Sequence, residues 1–238
     1  MEKQLWKPGN MIYPLPAVMV SVGDAAGNTN IITVAWTGTV CTNPPMAYIS
    51  VRPERYSYEM IRSSGEFVIN LTTKDLVYAT DYCGVKSGRD VDKWKEVQLT
   101  RGKASKLCYA PTIVESPVNI ECKVTEIKEL GSHHMFLATV EAVQVDETYL
   151  TAGGKFELNQ AELLAYSHGS YLETGTELGT FGYSIRKKEP IKPKKKKESS
   201  RKTQRESVQE PKKHTKKEVQ KQRGFHRKKS GTQKRAVR

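Results

Sequence analysis

Long apolar runs are missing from this 238-residue chain. No stretch approaches the roughly 20 apolar residues that a membrane-spanning helix needs, and the opening "MEKQLWKPGN" has no apolar signal core. The expectation is a cytoplasmic protein with no membrane partner. Cysteine is scarce as well. Cys41, Cys83, Cys108 and Cys122 are widely spaced, with no Cys-x-x-Cys pair and no clustered His, which argues against zinc fingers and disulfide scaffolds and fits reduced, mostly buried thiols. Nucleotide loops are absent too: no Gly-x-Gly-x-x-Gly follows a strand pattern, and "AGGKF" (Ala152–Phe156) places Phe156 where a phosphate loop requires Ser or Thr. "NLT" at Asn70–Thr72 matches a glycosylation acceptor, but with no secretion signal it reads as a strand end. No paired nucleophile and base, general-base dyad or metal cluster stands out.

Charge is plentiful but unevenly placed. Residues 1–185 hold 16 Lys+Arg against 21 Asp+Glu, net −5, whereas residues 186–238 hold 23 against 5, net +18. The tail has almost no aliphatic residues and a single aromatic, Phe225. Such a segment buries too little apolar surface to offset ordering its backbone, about 1–2 kcal/mol per residue, and is expected to be disordered. Its charge suits weak, salt-sensitive, nonspecific contact with nucleic acid or another anionic surface, without the stacking aromatics that specific readout uses. Solubility alone is the other reading. The chain therefore divides into one mildly acidic globular domain, 1–185, and a Lys/Arg-rich arm, 186–238.

Within the domain, "AVMVSVGDAAGNTNIITVAW" reads as two strands joined by a turn on Asp24, Gly27 and Asn28. "MAYISV" is a third strand, "RPERYSYEMIRSSGE" a short helix capped by Gly65, "FVINLT" a fourth strand, and a helical stretch follows from Lys74 to about Tyr82. "VNIECKVTEI" alternates as a half-exposed antiparallel strand, and "MFLATVEAVQV" follows it across a turn at Gly131 and Ser132. Many strands with few, short helices argue for a mainly β, closed antiparallel barrel or a sandwich. Trp6, Trp36 and Trp94 are read as exposed, which suits burial at a subunit interface or within a monomer core.

One stretch suggests chemistry. In "NIITVAWT" the residues Asn30, Thr33, Ala35 and Thr37 let a flat heteroaromatic ligand approach the backbone closely, and "SVRPERYS" (Ser50–Ser57) offers Arg52 as a bidentate phosphate donor beside a helix opening near Glu54. The plain alternative stays open, with these as ordinary strand and turn residues and Arg52 solvated.

The segment from about Gly9 to Thr72 resembles the flavin reductase-like family of FMN-binding split barrels, its flavoredoxin group in particular. The likeness rests on Gly27…Asn30, Thr33-x-Ala35-Trp36, Asn43-Pro44-Pro45, Arg52…Tyr56-Ser57 and Gly65-Glu66-Phe67-Val68-Ile69-Asn70, then on "DVDKW" (Asp90–Trp94) and "YSHGSYLETGTELGTFGYS" (Tyr166–Ser184). It departs from the group at Cys41-Thr42, where many relatives carry another small pair, and the basic arm is no part of it. The resemblance implies a closed antiparallel Greek-key split β-barrel with a few short helices. It also implies bound FMN, NADH or NADPH as electron donor, and a homodimer with the flavin at or near the interface. Asn30, Thr33, Val34, Ala35, Trp36 and Thr37 would lie along the ring and ribityl chain. Ser50, Val51, Arg52 and Ser57 would hold the ribityl and phosphate, Lys93 would stand near the flavin or its phosphate, and His133 and Tyr166 would flank the ring. The implied activity is that of an NAD(P)H-dependent flavin oxidoreductase. An electron carrier without nicotinamide turnover is the alternative, and the electron acceptor is left open.

Overall fold

The computed structural model describes residues 1–186. Twelve strands run in chain order: β1 (Leu15–Pro16), β2 (Val18–Gly23), β3 (Thr29–Val34), β4 (Thr37–Cys41), β5 (Met46–Val51), β6 (Glu66–Asn70), β7 (Arg101–Gly102), β8 (Thr112–Ile113), β9 (Val118–Glu129), β10 (His134–Val145), β11 (Leu164–Ser167) and β12 (Ser170–Glu173). Three α-helices interrupt them: α1 (Tyr56–Ser64), α2 (Val77–Val85) and α3 (Lys93–Glu96). Contacts group Met1–Phe181 into one compact unit. The basic arm expected to be disordered lies, from residue 187 on, outside the described residues. Among the described residues no helix is long and apolar enough to cross a membrane.

Seven strands form one antiparallel sheet in the order β3-β2-β6-β9-β10-β5-β4. Alternation decides which face each strand buries. Val18, Val20 and Val22 of β2, Ile32 and Val34 of β3, Ala47, Ile49 and Val51 of β5, Phe67 and Ile69 of β6, Cys122 of β9, and Phe136 and Ala138 of β10 meet in one cluster. Strands from opposite ends of the sheet share that cluster, so the sheet is curled around it. Tyr58, Met60 and Ile61 of α1 join the same cluster. That helix ends where the sequence says it must: Gly65 takes the left-handed conformation (φ 69°) and donates its N–H to the Ile61 carbonyl at 2.8 Å.

The closed barrel expected from the sequence is not shown; the sheet is a curled, open half-barrel. Among the described residues the ladder stops at β3 on one side and β4 on the other, and the two edges are joined by the corner Ala35–Trp36. The flank of β3 is engaged by helices instead: the Thr33 hydroxyl donates to the Thr80 carbonyl in α2, and the Lys93 ammonium donates to the Ile31 carbonyl at 2.7 Å.

A second cluster lies on the outer face, where Met19 and Ile31 meet Leu76, Ala79, Cys83, Trp94, Leu99 and Ile113. Trp94, expected to be exposed, is 2% exposed, because α3 turns it into this cluster. Of the cysteines, Cys83 and Cys122 are buried while Cys108 is exposed. Strand β9 also departs from the half-exposed expectation. Asn119 and Glu121, on its polar face, are buried, since the segment 103–116 straps across them. Glu121 accepts from Ser105 N–H at 2.8 Å, Ser105 Oγ at 2.9 Å, Lys106 N–H at 2.7 Å and Gln144 Nε2 at 2.8 Å. Glu66 accepts from the N–H groups of Cys108 and Tyr109, and Asn70 Oδ1 from that of Ile113 at 3.0 Å.

Candidate functional site

The corner between the two sheet edges opens into a cleft of about 360 Å³. Thr33, Val34, Ala35 and Trp36 form one wall, Ser50, Val51, Arg52 and His133 another, and Tyr166, Gly169 and Tyr171 of the β11–β12 hairpin a third, with Asp81, Gly84 and Val85 of α2 between. A second cleft of about 340 Å³ adjoins it, sharing Ile32, Arg52 and Arg55 and adding Asn30, Ser57, Lys86, Arg89 and Lys93. The residues singled out in the sequence thus converge, with one exception. Thr37 lines neither cleft: it is buried, and its hydroxyl donates to the Tyr48 carbonyl at 2.7 Å.

Strand alternation explains how the first wall is exposed. In an antiparallel edge strand the N–H and C=O of one residue point the same way, and the next residue's point the other way. Ile31's carbonyl points away from β2 to Lys93, so Thr33, two residues on, also turns its N–H and C=O away from β2, at the cleft it lines. Trp36 closes the end of this wall. Its indole is parallel to the His133 imidazole (5° between planes, centroids 6.0 Å apart). Burial, then the nearby Arg52 guanidinium, lowers the His133 pKa and favours the neutral ring. Tyr166 packs between Tyr13 and Tyr171. Tyr171 in turn donates to Asp81 at 3.2 Å, and burial together with that carboxylate raises its phenol pKa to about 12.

The second cleft is cationic. Arg52 is paired with Glu54 at 2.8 Å, and Arg89 donates to the Glu54 carbonyl at 3.1 Å while lying over the Tyr56 ring. Helix α1 opens at Tyr56, two residues later than expected from Glu54, and puts Ser57 in its first turn, where the hydroxyl receives the Asn30 amide at 2.9 Å. Gly88 permits this arrangement: a Cβ there would sit 2.3 Å from Asn30 Oδ1 and 2.7 Å from Tyr56 Cδ1. Lys93 is not a solvated charge. It is 3% exposed and also donates to the Cys83 carbonyl at 2.7 Å. Sequence reasoning missed Arg55, although it lies in the same Ser50–Ser57 stretch as Arg52, and Asp81, Gly84, Arg89 and Tyr171, which reach the clefts only through tertiary packing. Among the described residues no group of His, Cys, Asp and Glu has the makings of a metal site.

Residues 11–175 match the family described as Flavin reductase like domain. The chain belongs to the flavin reductase-like family. Among solved structures it is similar to the flavoredoxin of Desulfovibrio vulgaris (Miyazaki F), at 29% identity and a TM-score of 0.72 over 78% of this chain and 100% of that one. It is equally similar to the flavoredoxin from Methanosarcina acetivorans, at 30% identity and a TM-score of 0.70, again over 78% and 100%. An uncharacterized protein of Archaeoglobus fulgidus is 26% identical over 165 residues, 69% of this chain and 90% of its own length. A flavin reductase-like chain has a flavin to accommodate, and the residues present fit one. The unpaired backbone of Thr33 suits the polar edge of a flat ring, Trp36 and Val34 its apolar face, and the arginines of the adjoining cleft a phosphate.

Proposed function

We propose that this chain is an FMN-binding flavoprotein of the flavin reductase and flavoredoxin type, active in the cytoplasm. The observation that carries the reading is the convergence, in a flavin reductase-like chain, of an unpaired sheet edge, Trp36 and Arg52 on one pair of adjoining clefts. When bound, FMN would supply the redox chemistry, the capacity to accept hydride from NADH or NADPH and to pass electrons to a small acceptor or redox partner. The chain's own residues supply position. Thr33, Val34, Ala35 and Trp36 would hold the ring, with His133 and Tyr166 flanking it. Ser50 and Val51 would follow the ribityl chain, and Asn30, Ser57, Arg52 and Lys93 would line the phosphate end. Val34, Ala35 and Val85 give the ring wall an apolar character.

The same proposal includes the division at residues 185 and 186 and a homodimer. The dimer reading draws on apolar groups left exposed near the corner, namely Ile12, Trp36 and Val40 on the free edge of β4. Weak, salt-dependent contact of residues 186–238 with nucleic acid is a further part of it, motivated by their net charge of +18.

The test is spectroscopic. Freshly purified protein, or protein offered excess FMN and desalted, should be yellow, and anaerobic NADH or NADPH should bleach it. Protein that stays colourless with excess FMN refutes the flavin reading. A second reading, an FMN electron carrier without nicotinamide turnover, is favoured by the likeness to two flavoredoxins. A yellow protein that neither nicotinamide bleaches would select it.

A further inference from the structure

The second cleft contains a buried charge without a counter-charge. Lys93 is 3% exposed, and its Nζ spends two donors on the carbonyls of Ile31 and Cys83. Carbonyl dipoles solvate an ammonium but do not neutralise it, and an ammonium has a third N–H. Among the described residues none of the ion pairs includes Lys93.

The charged groups that face it come from every surrounding element. Arg52, Glu54 and Arg55 come from the β5–α1 connection, Cys83 from α2, Lys86 and Arg89 from the loop after α2, and Asp90, Asp92 and Arg101 from the far side of the wall that Lys93 helps to build. The carboxylates are spent or turned elsewhere. Glu54 is paired with Arg52, Asp92 caps α3 and lies 3.6 Å from Arg101, and Asp90 lines the outer side of the wall. What remains at the cleft is an excess of positive charge around a buried ammonium, an arrangement relieved by a bound dianion.

We propose that phosphate binding in this cleft is proton-linked through Lys93: the bound phosphate is the counter-charge that keeps the amine protonated, so a phosphate-bearing ligand loses affinity when the amine is neutral and its phosphate-free analogue does not. The ligand's identity rests on the FMN reading above. Burial, helped by a smaller push from Arg55, lowers the Lys93 pKa to about 8. The Cys83 thiol beside it is driven by burial up to about 11, so it stays protonated through the relevant range.

The sign follows. Below pH 8 the amine is charged in both free and bound protein, and the link is silent. Above it the free protein holds a neutral amine, binding takes up a proton, and affinity falls towards about tenfold per pH unit until the bound-state pKa is passed.

The experiment measures FMN and riboflavin affinity of the full chain by flavin fluorescence quenching from about pH 7 to 10, with calorimetry at about pH 8.5 in buffers of different ionisation enthalpy. The expected result is an FMN-to-riboflavin affinity ratio that drops by about tenfold or more across roughly pH 8 to 9.5, with proton uptake on FMN binding alone. Lys93→Arg, whose charge persists, flattens the profile, and Lys86→Met lowers FMN affinity without removing the step. A constant ratio without proton uptake, or a step that survives Lys93→Arg, overturns the proposal; should that variant fail to fold, proton uptake by the unaltered protein decides. If neither flavin binds at neutral pH, the flavin reading itself fails. The link is then read with inorganic phosphate from about pH 7 to 10, where no binding at neutral pH, or binding that does not weaken above about pH 8, overturns it too.

Discussion

Replacing Gly88 by Ala adds a single methyl group at the tightest point of the cationic cleft. The new carbon would lie 2.3 Å from Asn30 Oδ1, 2.7 Å from Asn30 Cγ and 2.7 Å from Tyr56 Cδ1, all closer than carbon tolerates. Neither neighbour yields easily, because Asn30 is 4% exposed and tied to Ser57, and the Tyr56 ring is covered by Arg89. Gly88 has no positive φ, so the cost arises from side-chain crowding and not from the backbone. Overpacking of this kind costs about 1–3 kcal/mol, and losing the Asn30–Ser57 hydrogen bond adds about 1 kcal/mol. For a domain of this size a change of about 2–4 kcal/mol lowers Tm by roughly 5–15 °C. Because Asn30 and Ser57 both line the cleft proposed to take the phosphate, FMN affinity should fall by about tenfold, and riboflavin affinity by less. Thermal unfolding of the flavin-free variant and parallel FMN and riboflavin titrations measure both effects. A Gly88→Ala variant that melts within about a degree of the parent and binds FMN equally well would refute the assignment of this wall.

Arg52→Ala removes a half-exposed side chain, so stability should change by no more than about 0.5 kcal/mol. FMN affinity should nevertheless fall by roughly tenfold to a hundredfold in titrations where riboflavin is little affected, and equal losses for both ligands would contradict a phosphate contact. Thr37→Val loses the hydroxyl bond to the Tyr48 carbonyl and should cost about 1 kcal/mol in urea unfolding, with flavin affinity unchanged. Glu121→Ala should cost about 3 kcal/mol by stranding the donors of the strap. Burial acts to raise the Glu121 carboxyl, but its bonds from Ser105, Gln144 and Lys106 prevail and lower it from the ordinary 4.5. Its stabilisation is therefore complete above that value and is lost as pH falls through the folded pKa. Urea midpoints should decline more steeply with acid in the parent than in the variant.

Features governed by neighbours in the chain were legible in the sequence. Gly65 marks the end of α1 because a left-handed cap needs glycine, and Val118–Val124 declare a strand by alternation. The run through Trp36 and the Arg52 segment stood out by residue type, and both line adjoining clefts. What stayed hidden depends on distant partners. Glu121 and Asn119 look like solvent-facing residues until a strap from 103–116 delivers polar backbone groups to them, and Trp94 looks exposed until α3 turns it onto Ile31 and Met19. Thr37 shares the hydroxyl character of Thr33 but sits past the corner, where its side chain turns to Tyr48. Asp81 and Tyr171 are 90 residues apart and meet across the cleft through one hydrogen bond, a pairing that no local pattern encodes.

The seam between β3 and β4 has a kinetic meaning. The outward amide of Thr33 lacks the cross-strand protection that the central strands enjoy, so deuterium should enter there sooner than at Val20 or Phe67 in the empty protein. A ligand seated in that gap would act as the missing rung, and its arrival would be recorded as slowed exchange along the seam.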